Sequence, residues 1–536
     1  MGLFGLLSKK NRKKIQKVNT DTNVSKVFGD YQGIHLDKSL DNNIKSIKTI
    51  FRDCDDIVYR PFKIAKRFKA ELVYMDGMVK IDAVDNFVMK PLMLEYGMAG
   101  IEVEDEKKAF LYAKEAIIST ANIKESKELE KVLHAIMIGA VVIFIERNES
   151  ALIVEAKGWE QRQVEAPQDE VTVRGPRDAF TENIRTNSAL IRRRICDPKL
   201  KLKGYLIGRR SKTRVEVMYI EDIANPRLVE EVFNRIENID VDSVVGNGLL
   251  EQLMEDNWIS PFPQFMTTER PDRVTAALLE GKVCILIDNS SMASVLPATM
   301  NDLLTAPDDY YERWMVATLI RIVRLTGAVA STVLPALYIA MVSFHPEMIP
   351  SALAFSIASG REGVPFPAFV EAFLMEGSFE LMREAGIRLP GSLGQTMGVV
   401  GAVVIGQAAV SAGIVSPVMV VVVALTGIAN FTVPSFDVAL SYRLLRFGLM
   451  ILSAVLGLYG LILGLLLILS HICILKSFGT PYLAPWIPLN LKDLKDTVLR
   501  APWQYMSYRP SYMHTQDKKR SDLDKVGEHL KRRKGE

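Results

Sequence analysis

Glu376, Glu380 and Glu384 stand four residues apart in PFPAFVEAFLMEGSFELMREAGIRLPG (365–391). On a helix of 3.6 residues per turn they fall on one narrow stripe. Glu371 lies off that stripe, and Val370, Leu374, Met375, Leu381 and Met382 fill the flanks and the far side. The stretch sits between segments that read as membrane spans, where a lipid-facing carboxylate is too costly to keep. Two settings satisfy the glutamates. One is an interfacial helix with its carboxylates in headgroup water. The other is a carboxylate ring in an oligomer, attracting cations to a pore mouth. Arg383 and Arg388 would partly neutralise either.

The next segment, QTMGVVGAVVIGQAAVSAGIVSP (395–417), carries two further stripes. Val400, Val403, Gln407 and Ser411 form an aliphatic line with one amide and one hydroxyl, the composition a gated pore wall would use. Ala402, Gly406, Ala409 and Gly413 form a small-residue line suited to close helix packing. The blander alternative has Gln407 hydrogen-bonding only a neighbouring helix.

Catalytic signatures are missing. The chain has no GxxxxGK[ST], HExxH or GxSxG, and its four cysteines and six histidines show no metal-ligand spacing. The acids of DCDD (53–56) and APDDYYER (306–313) read as caps and turns, and Arg192-Arg193-Arg194 as a solvated or interface face. The expectation is a protein without catalytic residues, metal or cofactor, which is not an enzyme, and nothing points to nucleic acid.

The elements that must position these residues follow from charge and periodicity. Net charge is +3 over 536 residues but unevenly spread. Residues 1–45 read as a flexible basic arm. HAIMIGAVVIFIERNESA (134–151) aligns without gaps on AALLEGKVCILIDNSSMA (276–293), Gly139 on Gly281, each reading as helix end, glycine cap, strand, turn, strand. ELVYMDGMV (71–79) resembles VMYIEDIA (217–224) at nearly the same offset. Two tandem α/β modules are therefore expected, at 46–165 and 166–298. In the second, 224–239 has one apolar face, with Leu228, Val232 and Ile236 recurring once per turn. An all-α integral membrane domain is expected at 299–475. Its spans fall at Leu325–Phe344, two within Leu389–Phe436 broken at Ser416-Pro417-Val418, and one at Phe447–Ser470. A basic tail, 476–536, closes the chain. The positive-inside rule puts modules and tail in the cytoplasm but leaves Arg443 and Arg446 outside, against the same rule.

Long stretches resemble the A subunits of bacterial spore germinant receptors, the GerA family, from about 46 to 510. They are VRGPRDAFTENIRTNSALIRRRI, LIGRRSKTRVEVMYIEDIANP, SPFPQF with TERPD, PDDYYERW, the glutamate stretch and GQAAVSAGIVSP. At 138–141 the chain reads Ile-Gly-Ala-Val, where the family commonly has a Ser-Gly-Asp type of turn. The resemblance implies a spore inner-membrane protein acting with a permease-like B subunit and a lipoprotein C subunit, sensing nutrients and triggering germination. It also implies a homo-oligomer forming an ion channel, with Val400, Val403 and Gln407 on the pore wall. Two alternatives stay open: an A-like paralogue from the dipicolinate-release operon, and a non-conducting scaffold.

Overall fold

The computed structural model describes residues 28–93, 105–117, 123–158, 167, 170, 172–388 and 406–521. They form two compact units, Met1–Gln161 with Ser188–Lys203, and Arg162–Asn187 with Gly204–Glu536.

In the first unit Ile57–Ile64 (β1), Phe68–Met75 (β2), Ile123–Ser126 (β3), Val141–Ile145 (β4) and Ala151–Val154 (β5) make an antiparallel sheet in the order β1-β2-β4-β5-β3. Successive strand residues face opposite sides. Val142 and Phe144 pack with Ile44 and Ile47 of Leu40–Ile50 (α1) and with Val132 and Ile136 of Leu129–Met137 (α3). Val141, Ile143 and Ile145 go the other way, against Val88, Leu92 and Ala109, the last on Glu106–Ile117 (α2). Both faces are covered, which is why Val141-Val142-Ile143-Phe144-Ile145 is apolar without alternation. Gly139, just after α3, has φ +80°, and a Cβ there would meet the Met78 carbonyl oxygen at 2.8 Å.

The chain passes between units within Ile184–Arg192 (α4) and Leu200–Ile207 (β6). Arg192, read as part of a solvated or interface face, is fully buried in the first unit, which corrects the solvated half of that reading. Its Nε and Nη2 donate to Asp56 at 2.8 and 2.9 Å, and its Nη1 donates to the Leu200 carbonyl at 2.6 Å. Asp56, read as a turn residue, is the other half of this bidentate pair.

The second unit repeats the strand order, β6-β7-β9-β10-β8, with Thr213–Ile220 (β7), Met266–Thr268 (β8), Val283–Ile287 (β9) and Ala293–Leu296 (β10). Gly281 has φ +89° at the place of Gly139. Pro226–Glu237 (α5), capped by Asn225, buries Leu228, Val229, Val232 and Ile236 on this sheet. The remaining short helices are Asn247–Met254 (α6), Pro271–Leu279 (α7), Met300–Leu304 (α8) and Asp308–Tyr311 (α9).

The segment expected as a basic tail is built into this unit from Lys476 to Ser521. Phe478 enters the core edge-on to Phe265, with ring centroids 5.4 Å apart. The Gln516 amide donates to the Glu221 and Ala224 carbonyls at 2.8 and 2.9 Å. Lys/Arg content alone hid this, because backbone and amide hydrogen bonds leave no mark in composition.

The rest of the second unit is helical: Trp314–Ser343 (α10), Ser351–Arg361 (α11), Ala368–Arg388 (α12), a short helix over 406–411, Pro417–Asn430 (α13) and Phe436–Ile474 (α14). Two of these, α10 and α14, are long and apolar enough to cross a membrane by length and composition. Their shared core includes Ala336, Ile339, Ala372, Met419, Val423, Leu449 and Leu461.

Candidate functional site

The site is built on α14, which is a hairpin. At Gly457 the backbone leaves the helix (φ 62°, ψ −140°). Beyond it the chain folds back so closely that a Cβ on Gly460 would lie 2.1 Å from the Leu452 carbonyl oxygen, and one on Gly464 2.5 Å from a Leu449 methyl. Both feet reach the sheet module: Thr267 donates to Asp437 at 3.1 Å, and Ser260 and His471 lie 2.9 Å apart. The Phe262 ring is 6.3 Å from Tyr442 on the first leg and 6.2 Å from His471 on the second. The tip meets Phe344, at the far end of α10. Legs of seventeen to twenty-one residues span roughly 25–30 Å at 1.5 Å per residue. The single straight span expected at Phe447–Ser470 is thus corrected to a turn with parts of two legs, a distinction uniform hydropathy does not carry.

Helix α12 runs alongside the first leg in the opposite direction, so its glutamates meet arginines. Glu376 and Arg446 are both fully buried and joined at 2.7 Å. Glu380 lies 3.1 Å from Arg383, 3.5 Å from Arg446 and 3.9 Å from Arg443. Arg443 also reaches the buried Asn430 side-chain amide at the end of α13, whose oxygen accepts at 3.0 and 3.3 Å when the amide is turned to face the guanidinium. Glu384 stays exposed and pairs with Arg388 at 2.6 Å. Glu371, off the stripe, is buried too: it pairs with Arg361 at 3.0 Å and accepts from the Ser416 backbone N–H at 2.9 Å, at the entry of α13.

The cation-attracting stripe is corrected accordingly. Glu376 and Glu380 are neutralised by guanidinium groups, and only Glu384 faces outward. The physical reason is the desolvation cost: carboxylates among apolar helices persist when a cation is placed against them. The same pairing resolves the misfit of Arg443 and Arg446. They lie on the hairpin's first leg, whose foot touches the sheet module, rather than in a loop on the far side. Buried atoms of the cluster remain without a hydrogen bond among the described residues: Glu376 Oε1, Arg446 Nε, and Arg383 Nε and Nη1. Packing fixes the arrangement as well. Gly427 of α13 lets the Phe379 ring approach, since a Cβ would sit 2.6 Å from it.

A second set of buried charges anchors α10. Asp309 accepts from Arg321 at 3.0 Å and Arg324 at 2.8 Å, and Arg321 also reaches Asp496 at 2.8 Å. Asp309 therefore does more than cap a helix.

Of the pore-wall residues, Val400 and Val403 lie outside the described residues, as does Ala402 of the packing stripe. Gln407 and Ser411 are exposed one turn apart on the 406–411 helix. On its other side Gly406 is buried, and a Cβ there would be 3.3 Å from Val420 of α13. Ala409 is half-buried, and Gly413, at φ +65°, turns beside the Gly363 carbonyl. The break expected at 416–418 is present: Ser416 caps α13 and Pro417 is its first residue. Arg383 and Arg388 are the near partners the sequence offered; Arg446 was missed because it is 70 residues from Glu376 and 66 from Glu380. The available signal was the pair of arginines that broke the charge rule.

Comparisons with known proteins give the family. Residues 45–512 match the family described as Bacillus/Clostridium GerA spore germination protein. The chain is 40% identical over 485 residues to Spore germination protein GerLA of Bacillus cereus, covering 90% of this chain and 97% of that one. It is 40% identical over 491 residues to Spore germination protein KA of Bacillus subtilis (strain 168), covering 91% and 89%. Among solved structures it is similar to the N-terminal domain of the A subunit of the Bacillus megaterium spore germinant receptor GerK3. That match has 32% identity, covers 50% of this chain and 98% of that one, and has a TM-score of 0.40. The chain belongs to the GerA family of spore germination proteins.

Proposed function

We propose that the chain is the A subunit of a nutrient-sensing germinant receptor and oligomerises into a gated cation channel whose opening commits the spore to germinate. Family membership supports the germination role. The observation that carries the channel reading is the 406–411 helix. It buries Gly406 against α13 and leaves Gln407 and Ser411 exposed on a polar line that a ring of copies would turn inward. Exposed Trp258 and Trp314 near the feet of the apolar helices suit a membrane–water boundary there. In this reading the sheet modules and the segment after the hairpin lie on the cytoplasmic side of the spore inner membrane, beside a permease-like B subunit and a lipoprotein C subunit. The chain acts by conformational change, not catalysis: nutrient binding in the partner shifts the ring towards its open state.

Glu376 and Glu380 have a different role here. They hold α12 against the hairpin, so that a movement of the hairpin is transmitted to the helices around the path. The test is potassium release from spores after nutrient addition, with Val403→Ala and Gln407→Ala at matched protein levels. Spontaneous, faster or blocked release is expected. Unchanged release in both variants would leave the non-conducting scaffold as the better reading.

A further inference from the structure

We infer that the second unit holds a binding site for a small organic anion with a flat apolar body, in the cleft between α7, α9 and the segment after the hairpin. The cleft encloses about 600 Å³, within the range of small-molecule sites. Five Lys/Arg side chains line it against three Asp/Glu. The acids are already matched: Glu280 by Arg520 at 2.9 Å and Asp302 by Lys282 at 2.6 Å, with the Asp272 carboxylate held by Arg270 at 2.9 Å. Two of the bases are matched as well, Arg273 by Glu170, and Arg509 by Asp517 at 2.8 Å, so the cation an incoming anion would meet without a carboxylate partner among the described residues is Arg500.

Two guanidinium groups are incompletely used. Arg500 is buried, and its Nη1 and Nη2 donate to the Glu312 and Tyr310 carbonyls at 2.8 and 3.4 Å. Arg520 donates through Nη2 to Glu280. The Nε of each is buried without a hydrogen-bond partner among the described residues, and a guanidinium N–H can only donate. Both line the cleft, and each stacks on an aromatic ring: Arg500 on Tyr310 and Arg520 on Trp503, both 5.4 Å to the centroid. Ala276 and Leu279 of α7 supply an apolar wall. Burial pushes the Glu280 carboxyl above the usual carboxylate range, with Arg520 acting against it. Donors, flat faces and an apolar wall together fit an aromatic or similarly planar carboxylate. An occupant would press on α9, whose Asp309 holds Arg321 and Arg324 of α10, and so would bear on the joint between the sheet module and the apolar helices.

The test uses the full chain in detergent and fluorine NMR of a matched pair of probes, 4-fluorobenzoate and 4-fluorobenzylammonium, with empty micelles subtracted. Saturable broadening is expected for fluorobenzoate and none for the cation. Arg520→Gln should weaken fluorobenzoate roughly tenfold, the loss of one charge-assisted hydrogen bond. Ala276→Phe, at an exposed position of α7 facing the cleft, should abolish binding while leaving the melting curve in place. Equal broadening of both probes, no saturable broadening, or binding retained in Ala276→Phe would overturn the assignment.

Discussion

Replacing Gly460 by alanine will destabilise the helical part of the chain and lower its yield from membranes. The added Cβ would lie 2.1 Å from the Leu452 carbonyl oxygen, a backbone atom that cannot turn aside. Forcing the legs apart is overpacking, with a cost on the order of 1–3 kcal/mol. Gly457→Ala adds a separate penalty. At φ 62° and ψ −140° an L side chain is strained by about 1–3 kcal/mol, and its Cβ would also meet the Phe344 ring at 2.8 Å. Gly448→Ala is the control. It sits on the first leg with nothing within 4 Å of the added carbon, so helix propensity alone applies and the change should be neutral or slightly stabilising. Denaturation midpoints of the purified chain in detergent will rank the three. Equal midpoints for Gly460→Ala and Gly448→Ala would mean that α14 does not fold back at Gly457.

The second large effect concerns Glu376 and Arg446. Arg446→Met leaves a fully buried carboxylate whose paired cation is gone, and breaking such a pair costs about 3–5 kcal/mol. Glu376→Gln should cost less, because Glu380 still stands 3.5 Å from the guanidinium. The double replacement Glu376→Leu with Arg446→Met removes both charges and should recover most of the loss, since apolar substitutes for buried pairs are often neutral or stabilising. Glu384→Gln breaks an exposed pair and should change little. If the double variant is as unstable as Arg446→Met, the two side chains are not coupled. If Arg446→Met and Glu384→Gln behave alike, the pair does not stabilise the bundle. The recovered double variant serves a further purpose. It keeps the helices packed without the charges, so defective potassium release in it would separate a signalling role of the pair from a structural one.

Much of the local organisation was legible in the sequence. The gap-free match of 134–151 to 276–293 anticipates two helix–strand–strand units whose glycines, Gly139 and Gly281, take the same left-handed turn. The once-per-turn pattern of Leu228, Val232 and Ile236 anticipates the buried face of α5. Ser416-Pro417 marks a helix start through capping chemistry that is local and strong. What stayed hidden was long-range. Asp56 and Arg192 are 136 residues apart, and Arg446 and Glu376 are 70 apart. Nothing in the spacing of either partner names the other. The hairpin was hidden for another reason. Phe447–Ser470 carries no charge, and hydropathy measures transfer from water but not direction. Gly457, Gly460 and Gly464 held the missing information, because close contact of two legs needs positions without side chains. The stripe Glu376, Glu380 and Glu384 was correctly placed on one helical face, yet its chemistry was set by the helix opposite.

The conduction reading turns on which charge the exposed polar line tolerates. The deciding measurement is potassium release after nutrient addition from spores carrying Gln407→Lys or Gln407→Glu, at equal protein levels. The two replacements have similar length and opposite sign, and Gln407 is exposed, so packing treats them alike. If Gln407 lines a cation path, lysine will suppress release and glutamate will preserve or accelerate it. Identical release from both, whether intact or lost, would contradict the placement of Gln407 on the path.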